Sequence, residues 1–293
     1  MVEPNRWRGV VMVVGATVCW GTMATVAKLL FRDQGVAPLF LVVVRAYLAT
    51  LTLFVCLGVI APAHLRIDAR MFRAAAIVGV GGLLTNNFLY FEAIHLTSVA
   101  TALLLQYQAP VLVALYALLV QRQRLSSRLG LSLVLTVTGC ALVVRVYDPA
   151  AIRLNLVGVL AGLGTAFAFA FYILTSRAAL RFMRPWTLVA YGYLAASVVW
   201  LPIVPPWRLV SAGFPMETWG SFLAIATLGT VIPFGLFISG LQHLPPAQAS
   251  ILAMLEPVVA AMAAYLILGE TLLPLQLVGG GLVLAGVTLV ETD

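Results

Sequence analysis

The chain has 293 residues, of which 62% are apolar and only 9% charged, against roughly 45–50% and about 25% in an ordinary soluble domain. So few polar groups could not cover a soluble globule of this length, whereas a bilayer accepts an apolar exterior; with ~20 apolar residues per crossing helix, ten crossings leave no room for a large soluble domain. The formal charge is +7, but the basic residues are spread over many short loops, which is a topology signal and not a nucleic-acid patch.

Arg6 and Arg8 precede a first apolar run, 9–31, too long for the core of a cleaved signal and read as the first span. The runs at 39–60, 71–92, 97–120 and 128–146 follow. Five more lie at 155–178, 187–204, 218–241, 246–268 and 274–291. Cys19, Cys56 and Cys140 lie inside these runs and read as small core residues, not as a disulfide framework. His64, His95 and His243 are far apart, so neither a metal site nor a cofactor is expected. With the amino terminus inside, eleven Lys and Arg fall in inner loops and five (Lys28, Arg32, Arg145, Arg153 and Arg208) in outer ones, while Arg45 lies within span two. This asymmetry predicts a multi-pass protein of a bacterial cytoplasmic membrane with both termini in the cytoplasm.

One offset of 147 residues lays Gly15 on Gly162, Trp20 on Phe167, Pro38 on Pro185, Gly82 on Gly229, Pro110 on Pro257 and Gly139 on Gly286. The chain therefore divides into five-helix repeats at 1–147 and 148–293. An odd number of spans per repeat gives the halves opposite orientations, with a site expected between them. The expected fold is all-α, with ten transmembrane helices as two inverted repeats around a central cavity.

Polar groups within a bilayer are costly and mark candidate function. Asn86 and Tyr90, spaced i and i+4, share a helix face in span three, with Asn87 beside them. Thr101 and Gln108 are seven apart in span four, with Gln106 and Tyr107 adjacent. Trp20, Phe171, Tyr172 and Trp200 supply large apolar surface. Aromatic walls with a few amides suit a zwitterion carrying an apolar side chain; the alternative is that the amides bridge helices and the aromatics form interfacial belts. Pro110, Pro233 and Pro257 lie within spans and read as hinges or as static kinks. Glu256 is the one acid near mid-span. It either pairs with Arg45 or titrates as a coupling group, or it caps backbone freed by Pro257.

Trp20–Gly21, Lys28 and Arg45 in the first half, then Glu256–Pro257 and Gly269–Glu270 in the second, together resemble the drug/metabolite transporter superfamily in its ten-helix EamA-type branch. The first half departs by carrying Gln121 and Arg122 where many members have a Gly-Glu pair. Within the superfamily the chain looks most like YddG-type exporters of aromatic and other neutral amino acids. The resemblance implies secondary export from the cytoplasm by alternating access. It also implies a cavity lined by spans one to four and six to nine, with five and ten peripheral. Multidrug or lipid-linked metabolite efflux is the alternative, as is a membrane scaffold that transports nothing. No GxxxxGK[ST], HExxH or GxSxG occurs, so no enzyme is expected. The expected partners are a small-molecule substrate and the lipid bilayer, with no nucleic acid and the chain acting as a monomer.

Overall fold

The computed structural model describes residues 6–149, 152 and 155–291, and these are helical or irregular, with no strand among them. Arg153 of the outer-loop set lies outside the described residues. Ten helices follow the ten apolar runs: α1 Arg6–Gln34, α2 Pro38–Ile60, α3 Ala69–Leu96, α4 Val99–Leu119, α5 Ser127–Val143, α6 Leu156–Ala179, α7 Pro185–Trp200, α8 Met216–Gly240, α9 Pro246–Leu268 and α10 Pro274–Glu291. Seven are long and apolar enough to cross a bilayer, and α5, α7 and α10 are shorter.

The starts of these helices are written in the sequence. The Asp68 carboxylate accepts the Met71 N–H at 2.7 Å to open α3, and Ser98, Ser126 and Asn155 do the same for α4, α5 and α6. Pro38, Pro185 and Pro246 open α2, α7 and α9, where a missing N–H costs nothing. Short connections make successive helices antiparallel, so both ends of the chain reach one face, and there Arg6 Nη2 donates to the Val290 carbonyl at 2.7 Å.

Packing obeys the internal repeat. Helix α1 lies against α8 and α9, and its counterpart α6 lies against α3 and α4. Helices α2 and α7 meet each other, as do α4 and α9. Exchanging the halves turns each contact into another of the set, which is the signature of two inverted repeats. Helices α5 and α10 form a peripheral pair that touches the rest chiefly through α9, with the Arg6–Val290 bond joining α10 to α1. There a Cβ on Gly139 would stand 2.6 Å from the Gly279 carbonyl oxygen, and one on Gly286 would stand 2.9 Å from that of Ser132. Each contact is the other's image. Thr50 and Ser197 are themselves repeat mates and share a hydrogen bond of 2.9 Å between α2 and α7, so they mark the pseudo-twofold axis.

The irregularities repeat as well. Helix α3 widens to π geometry over Ile77–Leu84, and α8 over Thr227–Val231, the image of 80–84. Thr85 Oγ1 donates five residues back to the Val80 carbonyl at 2.9 Å, and Thr230 Oγ1 to that of Ile225 at 3.2 Å. In α8 the widened turn stands just before Pro233, whose nitrogen cannot donate. Helix α4 breaks at Tyr107–Gln108 and α9 at Met254–Leu255, image positions just ahead of Pro110 and Pro257.

Helix α9 ends on Gly269 with φ +67°. Its image is Arg122, which holds φ +53° after α4. The first-half counterpart of Gly269–Glu270 is thus Arg122–Gln123, one residue later than the Gln121–Arg122 alignment. A side chain in this left-handed conformation costs ~1–2 kcal/mol. Arg122→Gly is therefore expected to stabilise the protein by about 1 kcal/mol, read as a higher midpoint of thermal unfolding in detergent; an unchanged or lower midpoint would show that the arginine side chain compensates.

Candidate functional site

Two features of the sequence bring the central groups together. Gly21 lets α1 sit directly on α9: a Cβ there would be 2.8 Å from both the Glu256 carbonyl oxygen and the Ala260 nitrogen. The paired breaks in α4 and α9 bring Tyr107 and Glu256 to the middle of the bundle, where Cys140 Sγ donates to the Met254 carbonyl at 3.6 Å.

Arg45 reaches inward from α2 and donates through Nη2 to the Asn87 side-chain oxygen. Asn87 in turn donates to the Leu83 carbonyl at 2.6 Å, at the end of the widened turn. Arg45 and Glu256 form no ion pair; the pairs among the described residues are Lys28–Glu270, Arg32–Asp33 and Arg145–Asp148. Glu256 also makes no hydrogen bond to backbone, so it does not cap the groups freed by Pro257. Glu256 is half-buried, in the first turn after the α9 break.

Beside this polar set, nearer the face of the termini, lies a cluster of rings. Trp20 packs on Phe234 and Phe237 at centroid distances of 5.0 and 5.5 Å. Tyr172 meets Phe234 at 5.9 Å and Phe169 at 6.1 Å, and Tyr193 meets Phe234 at 5.6 Å. Five central side-chain atoms are buried without a hydrogen-bond partner: Trp20 Nε1, Asn86 Oδ1, Gln106 Oε1, Tyr172 OH and Tyr193 OH. Each such atom costs ~1–3 kcal/mol. Trp20, Tyr172 and Tyr193 all pack on Phe234, so three of these atoms belong to one cluster, and Asn86 and Gln106 add unpaired oxygens on α3 and α4; atoms of this kind suit a polar occupant.

The remaining expected residues lie elsewhere. Phe171 is 41% exposed on α6, in one stripe with Leu160, Leu163 and Phe167, and its ring edge lies against Gly81 of α3, apart from the ring cluster. Thr101 is buried in the first turn of α4, its hydroxyl 2.9 Å from that of Ser98, beside a peripheral cavity of about 410 Å³. Trp200 is buried in the last turn of α7, apart from the ring cluster. Gln108 donates through Nε2 to the Leu104 carbonyl at 3.1 Å, satisfying a group that the α4 break would otherwise leave bare. Sequence reasoning noted Asn87 and Tyr107 only as neighbours of Asn86 and Gln108, and did not select Tyr193, Phe234 or Phe237. Phe234 and Phe237 carried one visible signal, their place just after Pro233, and Tyr193 carried none.

The EamA-like transporter family matches the chain twice, over residues 7–145 and 156–292. The threonine/homoserine exporter RhtA of Escherichia coli strain K12 is 30% identical over 95% of this chain and 90% of its own length. An uncharacterized transporter of Archaeoglobus fulgidus is 31% identical over 70% of this chain and 73% of its own. A solved crystal structure, 18% identical, shares the fold with a TM-score of 0.80 over 97% of this chain and 96% of that one. The chain is a multi-pass membrane protein and belongs to the EamA-like transporter family.

Proposed function

We propose that this protein exports small neutral amino acids across a bacterial cytoplasmic membrane by alternating access, as a single chain with both termini in the cytoplasm. The observation that carries this reading is the set of partnerless polar atoms inside the spans, three of them in the ring cluster on Phe234, together with a half-buried acid and an arginine within α9 and α2. Such a site recognises a small molecule with polar groups at one end and an apolar part at the other. RhtA, similar over nearly the whole length, is named for threonine and homoserine, which agrees with that chemistry. Trp20, Asn86, Tyr90 and Tyr172 line the proposed path, with Arg45 and Glu256 at its polar end. The breaks at Pro110 and Pro257, with the widened turn at Pro233, are where the halves flex.

The direct test is flux of radiolabelled amino acids from proteoliposomes holding the purified full chain. Neutral amino acids should move and larger cationic drugs should not; the reverse would replace this reading with multidrug efflux.

Orientation has its own test, motivated by the loop charges. In a chain with Cys19, Cys56 and Cys140 replaced, a cysteine at the exposed Arg124 should react with an impermeant thiol reagent only from the cytoplasm. One at Thr271 should react only from outside. Labelling of both from one side would contradict the proposed topology.

A further inference from the structure

The Arg45 guanidinium and the Glu256 carboxyl group both lie inside spanning helices and close into no ion pair with each other. That is an expensive arrangement. A charge inside a membrane normally finds its counter-charge at contact distance, since a bare pair gains little and each member has lost its water. Neither group is fully satisfied by its neighbours among the described residues. Glu256 is not consumed by backbone, and Arg45 spends one N–H on Asn87 and leaves the rest of its five donors unused among the described residues. Two more acceptors, Asn86 Oδ1 beside Asn87 in α3 and Gln106 Oε1 ahead of the α4 break, are buried and unpaired among the described residues. The fold therefore holds a guanidinium and a carboxyl group apart, with unused hydrogen-bonding capacity on the helices packed around them.

The geometry points to a zwitterion clamp: Glu256 and the Asn86 and Gln106 side-chain oxygens receive the α-ammonium group of the substrate, and the Asn87-held Arg45 guanidinium receives its α-carboxylate. The inference rests on the amino-acid reading above and assigns the ends of the substrate to residues. Inserted between the two, an amino acid completes both pairs at once, and its own dipole fixes its direction in the site. The side chain then points toward the ring cluster around Trp20 and Phe237, which would accept small or apolar groups and place no charge on them. A molecule carrying only one of the two charges leaves the other protein group without its partner, so it binds less well.

The test is competition against labelled threonine flux in proteoliposomes of the purified chain, with 3-hydroxybutyrate lacking the ammonium and threoninamide lacking the carboxylate. The wild type should prefer threonine to either by roughly tenfold or more. Glu256→Gln should raise KM for threonine about tenfold while leaving the inhibition constant of 3-hydroxybutyrate unchanged or lower, since the group this compound leaves unpaired is gone. Arg45→Gln should raise KM similarly while leaving the inhibition constant of threoninamide unchanged or lower. Glu256→Asp and Arg45→Lys should keep part of the preference. If Arg45→Gln is not recovered as a monodisperse protein, the Glu256 arm decides alone. Equal losses for all three compounds, or no loss at all, would overturn the clamp. A wild type that moves no amino acid would instead overturn the substrate class on which the clamp rests.

Discussion

Gly79→Ala is expected to remove most of the folded protein from a detergent extract. A Cβ at this position would stand 2.1 Å from the Gly192 carbonyl oxygen, 2.6 Å from its carbon and 2.7 Å from its Cα. All three atoms are backbone, so no rotamer change can relieve the clash. Helices α3 and α7 would have to separate, within the widened stretch Ile77–Leu84. Overpacking a tight interface costs ~1–3 kcal/mol and occasionally more; with only backbone to yield, the upper end applies here. The comparison is with Gly130→Ala and Gly220→Ala, helical positions where a Cβ would meet nothing within 4 Å. Those two should be neutral or gain up to ~1 kcal/mol from helix propensity. Size-exclusion profiles and thermal midpoints of the three variants decide. A Gly79→Ala protein as monodisperse and stable as the Gly130 variant would mean that α3 and α7 are not in the contact described.

The adjacent amides of α3 should separate stability from transport. Asn87 holds Arg45 and returns a bond of 2.6 Å to the Leu83 carbonyl. In Asn87→Leu both partners are stranded, and a lost hydrogen bond to a charged group costs about 1.5–3 kcal/mol. The thermal midpoint should fall and transport should drop by roughly a hundredfold or more. Asn86 is different, because its Oδ1 has no partner among the described residues. Asn86→Leu should leave the midpoint unchanged or raise it, while transport falls by about tenfold because the substrate loses an acceptor. Equal stability losses in the two variants would show that Asn86 is a packing group. Wild-type flux in Asn86→Leu would remove it from the site.

The spans were legible because the bilayer imposes them. The runs 155–178 and 246–268 fall within one residue of α6 Leu156–Ala179 and α9 Pro246–Leu268. The repeat was legible too, since its markers include close helix approaches at Gly139 and Gly286 that tolerate few other residues. The site was only partly legible, for two physical reasons. Hydropathy does not distinguish a side chain against lipid from one against another helix, so Phe171 and Tyr172 read alike although one is exposed and the other 2% exposed. Face arguments also assume an unbroken α ladder. A widened turn carries an extra residue and rotates all that follows, and a break spends a side chain on bare carbonyls. Gln108 is consumed in that way, leaving Gln106 with the unpaired oxygen.

The Thr50–Ser197 bond lies where the two halves exchange, so exchanging their shapes returns it to itself. Little else in the centre has that property. Arg45 and Asn87 exchange with Gly192 and Phe234, and Glu256 exchanges with Ala109. In a carrier that works by such an exchange, one end state brings a guanidinium to an amide, and the other brings a glycine to a ring. The two states then differ in energy before any gradient is applied, so their dwell times are unequal. The side on which the empty carrier waits is set by its own residues, and the membrane's gradients act only on top of that bias.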